Sequence, residues 1–166
     1  MPIPPPIHIR PAQLDNPEHA DAILRLIAMY ASDPMGGSLP SLSPYVTQNL
    51  IAGLKFHPTT RIFLAYAGAE TIGIAVCFLG FSTFAAKPLL NIHDLAVAPA
   101  YRGQGIGKAL LAAAETAARE LGCCKLTLEV LEHNHRAVQT YKSFGFDAGQ
   151  YAPENGRMLF YVKPIT

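Results

Sequence analysis

Arg102-Gly103-Gln104-Gly105-Ile106-Gly107-Lys108 stands between a strand-like run over 90–97 and a helix-like run that ends near Leu121. A glycine-rich turn that opens a helix leaves backbone N–H groups without intrahelical acceptors, beside the positive end of the helix dipole. Such a turn holds phosphate or pyrophosphate. Glycine lets the main chain approach the ligand because no Cβ intervenes. Arg102 and Lys108 bracket the turn with positive charge. The stretch predicts a strand–turn–helix unit that binds a phosphate-bearing ligand.

The flanking sequence supplies the rest of the domain. Residues 7–10 alternate and predict a short first strand. Asp15 or Asn16 can cap a helix that opens with Pro17 and carries Ala20, Ile23, Leu24, Ile27 and Ala28 as a stripe. The segment 32–37 breaks it. Ser43 and Pro44 predict the start of a second helix, with Val46, Leu50, Ile51 and Leu54 on one face and Pro58 beyond its end. Residues 61–67 and 71–84 predict a hairpin across Gly68-Ala69-Glu70, its long second arm bending at Gly80. After Lys87-Pro88 the strand over 89–97 feeds the glycine turn. The helix beyond it carries Ile106, Leu110, Ala113, Ala114, Ala117 and Leu121, and Gly122 closes it. Residues 125–131 alternate as a strand, a short helix begins at Asn134 or His135, and Gly145 stops it. Two last strands are expected over 146–151 and 158–162. Antiparallel strands followed by strand–helix–strand predict an α+β domain with a mixed sheet of about six to seven strands, not a doubly wound sheet.

Composition narrows the function. The 166 residues suit one domain over 1–166, with half of them hydrophobic and 15% charged. A net charge of +1 with scattered basic residues argues against nucleic acid or a membrane surface as partner. Cys77, Cys123 and Cys124 have no metal-ligand spacing and read as small buried side chains in a reducing compartment. The proline-rich start lacks the basic and apolar regions of a signal peptide, and the longest uncharged run, 71–86, is too short to span a bilayer as a helix. A cytoplasmic protein is expected.

A dinucleotide site would place its glycines in the first strand–helix unit, and a Walker loop would need Ser or Thr after Lys108, where Ala109 stands. Instead, Asp94-Leu-Ala-Val-Ala-Pro-Ala-Tyr-Arg-Gly-Gln-Gly-Ile-Gly-Lys-Ala-Leu-Leu resembles the acyl-CoA motif of the GNAT N-acetyltransferase superfamily. Asn134-His-Arg-Ala-Val-Gln-Thr-Tyr141-Lys-Ser-Phe-Gly145-Phe146 looks like the family's closing helix. The resemblance implies a GNAT-type sheet splayed between the strands at 89–97 and 125–131. It implies acetyl-CoA as acyl donor, its pyrophosphate held by Arg102, Gly103, Gln104, Gly105, Ile106, Gly107 and Lys108. Pantetheine would lie in the splay against Leu95, Ala96 and Val97, with an N–H there aimed at the thioester carbonyl to stabilise an oxyanion. Asn134 would bond the pantetheine arm. Tyr141, on its own a packing residue or a general acid, becomes the acid that protonates the leaving thiolate.

The attacking amine must lose a proton. His93 and Asp94 stand where many relatives carry acidic residues, so His93 is a candidate base and Asp94 a candidate base or amine ligand. Neighbours on a strand point to opposite faces, so both line one cleft only if a bulge intervenes. Glu129, on the adjacent strand, is a third candidate. The segment 80–88 resembles that of diamine, polyamine and thialysine acetyltransferases. It implies a small primary amine as acceptor, with Tyr30, Asp33, Met35, Phe81, Phe84, Asp94 and Glu129 as candidate contacts. His93 replaces the usual glutamate, which sets a mono-amine beside a polyamine. A homodimer, a non-catalytic acyl-CoA sensor and acetylation of a protein or peptide stay open.

Overall fold

The computed structural model describes residues 6–147, 156 and 159–165. The chain runs through β1 (Ile7–Pro11), α1 (Pro17–Ser32), α2 (Pro44–Phe56), β2 (Thr60–Ala67), β3 (Glu70–Ser82) and β4 (Lys87–Val97). A 3₁₀ turn at Pro99–Tyr101 leads into α3 (Ile106–Glu120), β5 (Leu126–Leu128) and α4 (His135–Phe144). Local chemistry sets the helix starts. Asn16 accepts from Glu18 N, Ser43 from Val46 N and Asn134 from Ala137 N, which satisfies amides that α1, α2 and α4 would otherwise leave unpaired.

The strands form one sheet in the order β1-β2-β3-β4-β5. The first four are antiparallel neighbours, and β5 joins β4 in parallel after the α3 crossover. Both faces of the sheet are covered, so β2 and β3 are buried almost continuously. On one face Leu110, Leu111 and Ala114 of α3, all without exposure, pack on Phe63, Ala65, Ala75, Cys77, Leu90 and Ile92. On the other, Ile23 and Leu26 of α1 and Leu54 of α2 pack on Ile62, Leu64, Ile74, Val76 and Ala96.

The α+β class and the mixed sheet agree with the sequence reading, but the strand count does not. Five strands are found among the described residues, against six to seven expected. Of the two expected closing strands, 148–151 and 158 lie outside the described residues, while 146–147 and 159–162 carry no strand. Leu159, Phe160, Tyr161 and Val162 have strand-forming side chains but are exposed, so composition alone does not supply a pairing partner. β5 is shorter than the expected 125–131, because its ladder with β4 ends at Ile92↔Leu128.

That early ending positions the site. Val76 pairs with Asp94 and Cys77 with Ile92, so His93 is the extra residue of a β-bulge. Gly80 stays in register with Leu89. Beyond Ile92 the ladder with β5 stops, and among the described residues β4 runs on to Val97 paired with β3. The two parallel strands part where the bulge bends β4.

Candidate functional site

The glycine turn stands at the end of the parted strand. Gly103 and Gly105 adopt φ of 79° and 80°, a region that side chains disfavour. Gly105 is also the N-cap of α3 and brings no side-chain acceptor, unlike the caps of α1, α2 and α4. The first-turn N–H groups of α3 therefore remain for a ligand. A Cβ at Gly103 or Gly105 would meet no protein atom within 4 Å, so the space before the turn is open.

A cleft of about 370 Å³ fills the angle between this turn, the free edge of β4 and the start of α4. It falls within the range of small-molecule sites. Of the expected residues it brings together Leu95, Ala96 and Val97 of β4, Arg102, Gly103, Gly105, Ile106, Gly107 and Lys108 of the turn, Asn134 and Tyr141 at α4, and Tyr30, Asp33 and Met35. It also gathers Tyr101, Arg136, Ala137 and Thr140, which sequence reasoning missed. Ala137 stands one turn before Tyr141, and Arg136 one turn before Thr140, spacings present in the sequence.

Several expected residues stand elsewhere. Gln104 turns back, its Nε2 donating to Ala100 O at 3.3 Å, and does not line the cleft. Phe81 and Phe84 are 63% and 106% exposed near the β3–β4 turn and outside the lining. A turn projecting past the sheet gives them nothing to pack on. The Arg102 guanidinium does not point toward the turn's open space. Its Nε donates to Val97 O at 2.9 Å and its Nη2 to Asp33 Oδ2 at 2.7 Å. Lys108 and Arg136 supply the cleft's other positive charge. Asn134 Oδ1 accepts from Ala137 N at 3.3 Å, which leaves its amide NH₂ as the donor to a ligand.

His93, Asp94 and Glu129 lie outside the lining; His93 and Glu129 are exposed and Asp94 is half-buried. The bulge lets His93 and Asp94 share one side of the sheet. The His93 ring meets Phe78 edge-on at 5.5 Å, and Asp94 pairs opposite Val76. Burial raises the Asp94 carboxyl above the usual carboxylate range, with His93 opposing the shift. Tyr30, in the lining, is raised by burial and by the fields of Asp94 and Asp33. Tyr141, half-buried and within the field of Tyr30, is pushed up to about 12. Its ring meets Phe146 at 5.9 Å. Glu129 approaches Asn91, whose Nδ2 donates to Thr127 Oγ1 at 3.1 Å and lies 3.4 Å from Glu129 Oε1.

The three cysteines are unpaired. Cys77 is buried as expected, with its thiol pushed up to about 12 by burial and by Asp94, whereas Cys124 is exposed on the short connection to β5. Among the described residues no three His, Cys, Asp or Glu side chains group to hold a metal, and no helix is long and apolar enough to cross a membrane.

A family model described as the acetyltransferase (GNAT) family matches residues 24–146. A thialysine N-epsilon-acetyltransferase of Bos taurus is 35% identical over 78 residues, 47% of this chain and 45% of that protein. A streptothricin acetyltransferase of Streptomyces lavendulae is 40% identical over 87 residues, 52% of this chain and 44% of that protein. The chain thus spans less than half the length of these relatives. Among solved structures, an aminoglycoside N-acetyltransferase in complex with CoA shares the fold, with a TM-score of 0.77 over 99% of each chain at 18% identity.

Proposed function

The chain belongs to the acetyltransferase (GNAT) family, and from that premise we propose that it transfers an acetyl group from acetyl-CoA to a primary amine of a small molecule. The observation that carries the reading is the junction of an uncapped helix start, a free strand edge and a half-buried phenol around one cleft. Acetyl-CoA, when bound, supplies a thioester whose carbonyl carbon takes the amine and whose sulfur leaves as a thiol. The amides of the turn, with Lys108 and Arg136, are the groups suited to its diphosphate. The N–H groups on the open edge of β4 between Leu95 and Val97 are suited to the carbonyl oxygen, where negative charge builds.

Tyr141 holds a proton at neutral pH, as a donor to the departing sulfur must. Asp94 has a carboxyl raised toward the range in which a base works, and the bulge keeps it beside His93 and near Tyr30. Either Asp94 or His93 takes the amine proton, and direct attack with both substrates bound needs no covalent relay. The raised Cys77 thiol, buried in the core, suits no such relay. Of the carboxylates expected at the acceptor, Asp33 is paired with Arg102, leaving Asp94 and Glu129, which supports an acceptor with one or two amines over a polycation. Relatives are named as acetyltransferases of thialysine and of streptothricin, small molecules that carry amines.

Thiol release from acetyl-CoA across a panel of diamines, amino acids, aromatic amines, aminoglycosides and a peptide N-terminus tests the proposal. Release that depends on a small amine is expected. Tight acetyl-CoA binding with no amine-dependent release would make the chain a sensor. Release only with the peptide would move the acceptor to protein.

A further inference from the structure

We propose that Asp33 is a positioning residue that, through Arg102, fastens the loop after α1 to the glycine turn and to the end of β4, so that the acceptor and cofactor sides of the cleft hold their geometry as one unit. The inference rests on the reading of the cleft as a diphosphate site.

Arg102 directly precedes Gly103, where a guanidinium would be expected to reach a bound phosphate. It bridges two protein acceptors instead. Nε donates to the carbonyl of Val97, the last residue of β4, and Nη2 to Asp33 Oδ2, 69 positions away in the chain. A planar guanidinium holds both bonds at once only if the three elements keep a fixed relation. The side chains of Arg102 and Asp33 are 25% and 19% exposed, so this pair is screened less than the surface pairs of the chain.

Asp33 in turn organises its own loop. Its second carboxylate oxygen accepts from Met35 N at 2.8 Å. Its N–H donates to Tyr30 O at 3.1 Å, and its carbonyl accepts from Gly36 N at 2.9 Å and Ser38 N at 3.2 Å. The loop thereby sets Met35 and Tyr30 in the lining. Gly36 lies so close to Tyr30 that a Cβ there would stand 2.1 Å from Tyr30 O. Asp33 was expected from the sequence to touch the acceptor, but its carboxylate is occupied by Arg102 and Met35. Its leverage on the reaction is indirect.

The signature of this arrangement is a crossed effect, in which a change in the loop alters the cofactor side and a change in the turn alters the loop. Amide hydrogen exchange of the ligand-free chain and calorimetric titration with acetyl-CoA, on Asp33→Ala, Asp33→Asn, Arg102→Gln, Arg102→Lys and the Asp33→Ala/Arg102→Gln double variant, read it. Each of Asp33→Ala and Arg102→Gln is expected to speed exchange in both 33–39 and 102–108 and to weaken acetyl-CoA binding about tenfold. The double variant is expected to fall no further than the weaker single, since one bond is lost in all three. Arg102→Lys should resemble Arg102→Gln, because an ammonium does not span two acceptors in the same way. Asp33→Asn keeps the shape and should fall between wild type and Asp33→Ala, which decides the matter if Asp33→Ala fails to fold. Wild-type exchange in the turn of both Asp33 variants, or losses that multiply in the double variant, would overturn the proposal. If the wild-type chain does not bind acetyl-CoA, the cofactor reading falls while the exchange data still decide the clamp.

Discussion

Tyr141 and Asp94 are both raised by burial, with opposite consequences. Raising a phenol to about 12 secures its proton but weakens it as an acid. A free thiol lies near 8.5, so the transfer would be uphill by about 3.5 units, or about 5 kcal/mol. A thiolate formed in the same cleft is also poorly solvated, and the same desolvation raises its pKa and narrows the gap. Tyr141→Phe is expected to lower kcat about a hundredfold with acetyl-CoA affinity as in wild type. Stopped-flow turnover and calorimetry check this, and an unchanged kcat removes Tyr141 as the acid. For Asp94 the fold favours the neutral carboxyl. A pKa raised above its unfolded value contributes stability fully below the unfolded pKa, and that contribution is lost as pH rises through the folded pKa. Asp94→Asn should therefore raise the Tm at about pH 7 and lose that advantage on acidification, while it slows acetylation. Melting curves across pH and a pH–rate profile check both halves. Tyr141 and the turn glycines were legible in the sequence because each lies in a contiguous motif. The partner of Arg102 was not, since 69 positions separate it from Asp33 and only the folded chain joins them.

Elements were legible where their signals are local. Asn16, Ser43 and Asn134 cap helices that begin where the sequence placed them. The bulge at His93 was foreseen only as a condition, because register belongs to a pair of strands and β4 alone does not encode it. The length of β5 was overread for the same reason. Residues 129–131 continue the strand-like run, but the ladder has already ended at Leu128. The loop after α1 was read as a breaker that borders the acceptor, and its Gly36 is in addition fixed by close approach to Tyr30. Gly36→Ala places a methyl against Tyr30 O and the Tyr30 ring, at 2.1 and 2.8 Å, so the loop must move. It is expected to cost about 1–3 kcal/mol of stability and to raise the amine KM as Tyr30 shifts. Urea denaturation and steady-state kinetics measure the two effects, and a variant with wild-type stability would contradict the packing.

Among the described residues the fold is a sheet buried on both faces whose ladder between β4 and β5 ends early, and the cleft opens there. The element order carried the fold class because antiparallel strands followed by a strand–helix–strand crossover allow few arrangements. The number of strands was not legible, since residues such as Leu159 to Val162 have the composition of a strand without a place in the sheet. Amide-resolved hydrogen exchange with and without saturating acetyl-CoA tests most directly whether this gap is the coenzyme site. Protection is expected at 103–108, on the turn, and at 94–97, on the free edge of β4. Protection confined to other segments, or none at saturation, would contradict it.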